Sequence, residues 1–419
     1  MDRKAILVTY PDRFIIREAE ELAEAAGYKI IHSITQKYLK HGKYGMGSGK
    51  AEDLKELVEE LLPDVIIFDE KPRTRQIYNL ATMTKTEVID REKLILEIFS
   101  KRASSAESKL QVQLAELRYE LPRAKEKVRL SKISEQPGFS GLGAYEVDLY
   151  HLSIKKRANA INFKLKDVIK RRDLYRRQRI KNDIPNVSLT GYTGAGKSTF
   201  FNLITGERRE VDKGSFTTLT TATRAISVSK GKVLFSDTVG FISRLPTYMI
   251  ESFKSTLEEL TYSDLVLLLL DSSEKFEDLQ LKYNSCLDII SELQVNPSKV
   301  HLIFNKVDLT SADEINDIIR NLSPELESYS IISAKTGLGI KDVLKRINDE
   351  VFEYAEAQID LTYQEMNKHY KDLFKLREKT KVTVITHQDG SVTLNIVGEP
   401  WVLKKFEADL REGKNEKKD

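Results

Sequence analysis

At 419 residues the chain exceeds one ordinary hydrophobic core, so several domains are expected. An apolar fraction of 40% supports packed interiors, while 31% charged residues at a net charge of only +3 exclude a uniformly basic or acidic protein. One cysteine, Cys286, excludes an intrachain disulfide framework, and the longest apolar run, Leu265–Leu270, is far short of the roughly 18–20 residues of a membrane span. With no signal-peptide core in MDRKAILVTYPDR, the expectation is a cytoplasmic, monomeric chain with no membrane partner.

Residues 1–98 alternate strand-like runs (KAILVTY, YKIIHSI, DVIIFDE, TEVIDR) with helical patterns (REAEELAEAAG, AEDLKELVEELL), which predicts a small, mostly parallel α/β domain. The stretch GMGSGKA at 45–51 imitates a phosphate loop. It has Tyr44 in place of the first glycine and Ala51 in place of the metal-binding hydroxyl, and reads as a glycine-rich loop.

Over 99–183 the pattern changes. Phe99, Ala103, Ala106, Leu110, Leu114, Leu117 and Leu121 step by threes and fours, and Ile154, Ala158, Ile161, Leu165 and Val168 repeat the pattern after a Gly-containing break at 132–149. Two such seams predict an antiparallel helical hairpin. Its second arm is basic, with twelve Lys or Arg and two Asp between Lys155 and Lys181. A solvated helix face usually mixes signs, so this arm is read as a surface for the nucleic-acid backbone.

Residues 184–354 carry buried-strand runs (NVSLTG, KVLFSD, LVLLLLDSS, VHLIFNKVD, YSIISAK) separated by helical segments, the signature of a mostly parallel sheet. A small α+β module is expected over 355–412, with a helix around 361–378, strands KVTVITH and SVTLNIVG joined through Asp389-Gly390, and a helix over WVLKKFEADL; 413–419 reads as a disordered tail. The fold class is therefore α/β: a small N-terminal α/β domain, an antiparallel helical hairpin, a phosphate-loop domain with a mostly parallel sheet and a small C-terminal α+β module.

The chemistry concentrates in NVSLTGYTGAGKST. Gly191, Thr193, Gly194, Ala195, Gly196, Lys197, Ser198 and Thr199 form a complete phosphate loop between a strand and a helix. Its backbone N–H groups would cradle phosphates, Lys197 would reach the β- and γ-phosphates, and Ser198 would bind Mg²⁺. Asn305-Lys306-Val307-Asp308 selects the base, because the Asp308 carboxylate accepts from guanine N1–H and the 2-amino group, and adenine offers neither donor there. Such a site rejects the wrong base by as much as about 10⁴–10⁵-fold. Ser333, Ala334 and Lys335 would supply a backbone N–H to guanine O6. The expected substrate and product are GTP and GDP.

A Thr-rich stretch, DKGSFTTLTTATRA, would provide a further Mg²⁺ hydroxyl. Thr218 is chosen over Thr217, with Thr220 and Thr221 behind them and Phe216 beside the nucleotide. In SDTVGFISRLP, Asp237 would hold a Mg²⁺-bound water, Thr238 and Val239 would flank the nucleotide, and the Gly240 N–H would meet the γ-phosphate. Lys197, Thr218 and Gly240 are the expected hydrolytic residues. Phe241 stands where many hydrolytic G proteins carry a water-orienting amide.

With the phosphate loop, FTTL, DTVGFISRLP, NKVD, SAK, VIDREKLILEIFSKRA (88–103) and KLQVQLAELRYELPR (109–123) together, the chain resembles the HflX family of translation-factor-class GTPases. The resemblance covers nearly the whole chain. It implies a ribosome-binding GTPase whose N-terminal domain and hairpin dock on the large ribosomal subunit, with the basic arm 155–181 meeting ribosomal RNA. Splitting or rescue of ribosomes, and slow hydrolysis stimulated by the ribosome, are further implications. Two departures stand out. Gly194 replaces an Asn that helps hold K⁺ in related G proteins and offers no side-chain oxygen, and the inter-arm loop lacks the Gly-Pro-Gly-Glu-Thr-Gln pattern of many relatives. The competing reading is a signalling GTPase that binds a protein partner through its hairpin.

Overall fold

The computed structural model describes residues 3–40, 42–133, 142–181, 184–207, 222–238, 240–322, 329–352, 355–362, 380–387 and 391–398, with single positions between 365 and 406. They fall into two compact units, the first comprising Met1–Ser227 with Lys232–Lys341 and the second Val228–Gly231 with Asp342–Asp419.

The first unit begins with β1 (Arg3–Thr9), α1 (Arg13–Ala25), β2 (Tyr28–Thr35), α2 (Ser48–Leu61), β3 (Val65–Phe68), α3 (Thr74–Thr84) and β4 (Glu87–Asp90). The strands pair in parallel in the order β2-β1-β3-β4. Ala5–Val8 and Val65–Phe68 are buried on both faces, which is why these strands read as unbroken apolar runs. Helix α1 opens on Asp12, whose carboxylate accepts the Ile15 N–H at 3.0 Å. The glycine-rich stretch at 45–51 turns into α2, with Gly47 as its N-cap. Helix α3 has no counterpart in the sequence reading, because polar Arg, Gln, Asn and Thr interrupt its apolar positions.

Next come α4 (Arg91–Arg102), α5 (Ala106–Ile133) and α6 (Leu142–Lys181). The expected single stripe from Phe99 onward is split. Phe99 ends on α4, Ala103 is extended, and the Ser105 hydroxyl accepts the Ser108 N–H at 3.0 Å to start a new helix. The break between the arms is also shorter than 132–149, since α6 is helical from Leu142. Helices α5 and α6 pack through Leu117, Ala124 and Ile154, with Leu121, Ala158 and Ile161 alongside. At 40 residues α6 is about 60 Å long.

The phosphate-loop part contains β5 (Asn186–Gly191), α7 (Lys197–Thr205), β6 (Ala222–Val228), β7 (Gly231–Asp237), α8 (Thr247–Ser252), α9 (Lys254–Thr261), β8 (Leu265–Asp271), α10 (Phe276–Glu292), β9 (Val300–Asn305), α11 (Ala312–Leu322) and β10 (Tyr329–Ile331). Strand order is β10-β9-β8-β5-β7-β6, with parallel pairing from β10 through β7. Strand β6 takes in the end of the Thr-rich stretch, Ala222–Ala225, for which the sequence pattern predicts no strand. One core runs from the N-terminal sheet through α4 into α8 and α9, where the Phe99 and Phe253 rings meet edge-on at 4.8 Å.

The second unit holds α12 (Ile340–Val351) from Asp342 onward, β11 (Ala355–Thr362), β12 (Lys381–Thr386) and β13 (Ser391–Gly398). Its sheet is antiparallel, ordered β11-β13-β12. Residues 361 and 362, expected to begin a helix, end strand β11 instead. The alternation Ala357, Ile359, Leu361 turns one face to the core of Val392, Leu394 and Ile396. The Asp389-Gly390 turn, most of the WVLKKFEADL helix and the tail lie outside the described residues. No helix among the described residues is long and apolar enough to cross a membrane.

Candidate functional site

The phosphate loop leaves β5 at Gly191, whose φ is +141°; a Cβ there would lie 2.4 Å from the Leu269 carbonyl oxygen. At Gly196, φ is +93° and a Cβ would lie 2.3 Å from Asn305 Nδ2. Both positions therefore require glycine. Gly194 also has a positive φ but faces open space. Lys197 and Ser198 start α7, with Thr199 in the same first turn. The buried Lys197 ammonium donates to the carbonyls of Gly191 (2.9 Å) and Tyr192 (2.8 Å). Burial lowers its pKa to about 8, against the opposing pull of Asp237. The Ser198 hydroxyl lies 3.4 Å from Asp237 Oδ2.

Beyond β7 the chain crosses over this loop. Thr238 Oγ1 donates to the Leu189 carbonyl at 2.6 Å. A Cβ on Gly240 would be 2.8 Å from Lys197 Nζ and 3.1 Å from Thr193 Cγ2, so Gly240 sits directly against the lysine. Phe241 donates its N–H to Gly191 (3.0 Å) and accepts that of Thr193 (2.9 Å), while its ring is buried in the main core. Phe216, Thr217, Thr218, Thr220, Thr221 and Val239 lie outside the described residues.

On the base side, Asn305 ties two loops together. Its Nδ2 donates to the Ala195 carbonyl at 2.8 Å and its Oδ1 accepts the Ala334 N–H at 2.9 Å. Lys306 has a positive φ of 66°, and its ammonium pairs with Asp271 at 2.5 Å. Asp308 accepts the Ser333 hydroxyl at 2.6 Å, and exposed Lys335 follows in the same turn. Phosphate and base loops thus lie at the carboxyl ends of parallel strands of one sheet, with β8 between β5 and β9, on the edge where this class of sheet binds ligands.

Three family models match in succession: "GTP-binding GTPase N-terminal" over 15–100, "GTP-binding GTPase Middle Region" over 102–179 and "50S ribosome-binding GTPase" over 186–306. GTPase HflX of Thermofilum pendens is 36% identical over 95% of this chain and 93% of its own length. The chain belongs to the HflX family of GTPases. GTPase HflX of Methanocaldococcus jannaschii is 42% identical over 80% of this chain and 82% of its own. A GTP-binding protein from Sulfolobus solfataricus, solved with GDP, is 26% identical over 83% of this chain and 98% of that one, with a TM-score of 0.47. As an HflX-family member the protein binds GTP and hydrolyses it.

In this HflX-family chain, sequence reasoning missed a polar cluster packed behind the phosphate loop. Tyr192, the second residue of that loop, donates its hydroxyl to Glu18 of α1. The Ser243 N–H reaches both the Tyr192 hydroxyl (2.7 Å) and Glu18 Oε1 (3.1 Å), and the Ser243 hydroxyl donates to Glu18 Oε2 (2.5 Å). Arg91, wholly buried at the start of α4, donates to Glu18 and Asp69 at 2.7 Å each and to the Ser243 carbonyl at 3.1 Å. Arg244, at a positive φ of 54°, reaches Asp69 at 3.0 Å. Burial would raise the Glu18 pKa, but Arg91 and the bonds from Ser243 and Tyr192 outweigh it and hold the carboxyl below its usual range. A glutamate within the apolar stripe of α1, flanked by Ala19 and Leu22, was the one available signal.

Proposed function

We propose that this GTPase docks on the large ribosomal subunit in its GTP state and that hydrolysis times release, an act that splits or rescues ribosomes. The observation that carries the reading is the surface of α6. Its apolar Ile154 and Leu165 are buried, while Lys155, Lys156, Arg157, Lys164, Lys166, Lys170 and Arg171 are exposed. A long arm with cations on its free faces suits the phosphates of folded RNA. The words "50S ribosome-binding" in the description of the model matched over 186–306 favour the same partner. In this reading the chain works as a monomer in the cytoplasm.

Within the site, Lys197 serves the β- and γ-phosphates, the Gly240 N–H the γ-phosphate, and Asp308 with Ser333-Ala334-Lys335 the guanine. Ser198 and Asp237 offer a hydroxyl and a carboxylate 3.4 Å apart, an all-oxygen donor set that fits Mg²⁺. Bound there with Thr218, the ion would neutralise charge on the β- and γ-phosphates. Phe241 cannot orient water, so hydrolysis by the free protein is slow and the ribosome completes or orders the site. Completion in trans is worth about 10³–10⁵ in rate.

Co-sedimentation with purified large subunits, in GDP or a non-hydrolysable GTP analogue and across a salt series, tests this. Pelleting confined to the GTP state and weakening log-linearly with salt is expected. Absence of pelleting in both states, or a basal GTPase rate indifferent to ribosomes, would overturn it in favour of a protein partner for the hairpin.

A further inference from the structure

The cluster behind the phosphate loop joins three segments distant in sequence. Glu18 comes from α1, Tyr192 from the phosphate loop, and Ser243 from the segment that begins with Asp237. The Glu18 carboxylate accepts from Tyr192 and from both the N–H and hydroxyl of Ser243. Arg91, anchored on Asp69, holds that carboxylate from the other side. Lys282 of α10 lies 5.0 Å from the Tyr192 ring centre and pairs with Glu274 at 2.5 Å, closing the tyrosine from above. Tyr192 and Ser243 are therefore seated by α1 and α4, with α10 closing over the tyrosine.

The two seated residues bracket the part of the site that meets the end of a triphosphate. Tyr192 lies one residue before Thr193, and Ser243 three residues after Gly240. Between them, the backbone bonds of Phe241 to Gly191 and Thr193 hold Gly240 against Lys197. Fixing Ser243 fixes the far end of this short crossing; fixing Tyr192 fixes the loop on which it rests. A backbone donor held in place before the ligand arrives binds without an ordering cost, and only a ligand reaching it benefits.

We propose that Glu18 is a positioning residue of the GTPase site, holding Tyr192 and Ser243 so that Gly240 is preset for the terminal phosphate of GTP. The inference rests on Gly240 being the γ-phosphate contact. GDP does not extend to Gly240, so the effect of Glu18 falls on GTP alone. The N-terminal domain thereby takes part in discriminating GTP from GDP, with Glu18 acting through Tyr192 and Ser243.

The test measures affinities of the full chain for GDP and for a non-hydrolysable GTP analogue in Glu18→Ala, Glu18→Gln, Tyr192→Phe and Gly240→Ala. Glu18→Ala is expected to weaken the GTP analogue about tenfold, the effect of one hydrogen bond to a charged group, with GDP affinity kept within about twofold. Tyr192→Phe gives a smaller shift of the same sign. Glu18→Gln, which keeps an acceptor for Tyr192 and Ser243, recovers most of the loss. Equal weakening of both nucleotides, or no change, in Glu18→Ala and Tyr192→Phe while Gly240→Ala still separates them, would overturn the role of Glu18. Tyr192→Phe alone decides the matter if Glu18→Ala does not fold. An unchanged nucleotide preference in Gly240→Ala would remove the phosphate contact and the proposal with it.

Discussion

Phe241 runs in parallel register with Tyr192, bonded through both its backbone groups to the residues on either side of that tyrosine. The bond geometry leaves its side chain in the core, 2% exposed, among the residues that join the phosphate loop to α8 and α4. The position at which many G proteins carry a water-orienting amide is thus a packing position here.

Restoring an amide should therefore not restore an amide's chemistry. Phe241→Gln is expected to leave the basal GTPase kcat within about threefold of the parent, because the side chain does not face the phosphate. It should cost about 1–3 kcal/mol of stability for a polar group placed in an apolar core. Single-turnover hydrolysis and thermal unfolding read the two effects separately; a rise in kcat beyond tenfold would show that the side chain swings to the phosphate.

Asp308 should decide the base. Its Oδ1 is held by the Ser333 hydroxyl at 2.6 Å, a bond that an asparagine carbonyl could also accept, so Asp308→Asn leaves the loop intact. The substituted amide would present a donor toward guanine N1–H and its 2-amino group. GTP affinity is expected to fall about 10²–10⁴-fold, while xanthosine triphosphate, with a carbonyl in place of the 2-amino group, gains. Competition between the two triphosphates measures it, and unaltered preference for GTP would place the base elsewhere.

Cys286 should report opening of α10. It is fully buried, and burial pushes its thiol from the ordinary 9.0 up to about 12. At pH 8 the native thiol is then almost wholly protonated as well as buried, and a small thiol reagent should label the protein only in denaturant. The sign of the linkage follows. The folded state keeps this proton to higher pH than the unfolded chain, so this stabilising contribution is complete below pH 9 and is lost as pH climbs toward 12. Stoichiometric labelling of the native protein within minutes at pH 8 would show that α10 opens readily.

The parallel strands of both sheets were legible in the sequence because strands buried on both faces must be apolar along their whole length, as in Ala5–Val8 and Leu265–Leu270, whereas the partly exposed edge strand β6 was not. The phosphate loop and the NKVD and SAK loops were legible for a related reason. Their chemistry needs particular residues at fixed spacing, so the motif is local, and each follows a strand end. Where local pattern and packing diverged, the pattern misled: 361–362 read as the start of a helix, yet β13 draws 355–362 into a strand, and the stripe through Phe99 hid a break that serine capping creates. The cluster of Glu18, Arg91, Asp69, Tyr192 and Ser243 was illegible altogether. Its members lie as many as 225 positions apart, each an ordinary polar residue in its own segment. Only the fold brings them within hydrogen-bonding distance, and burial keeps them there because none can leave without stranding a charge or a donor in the interior.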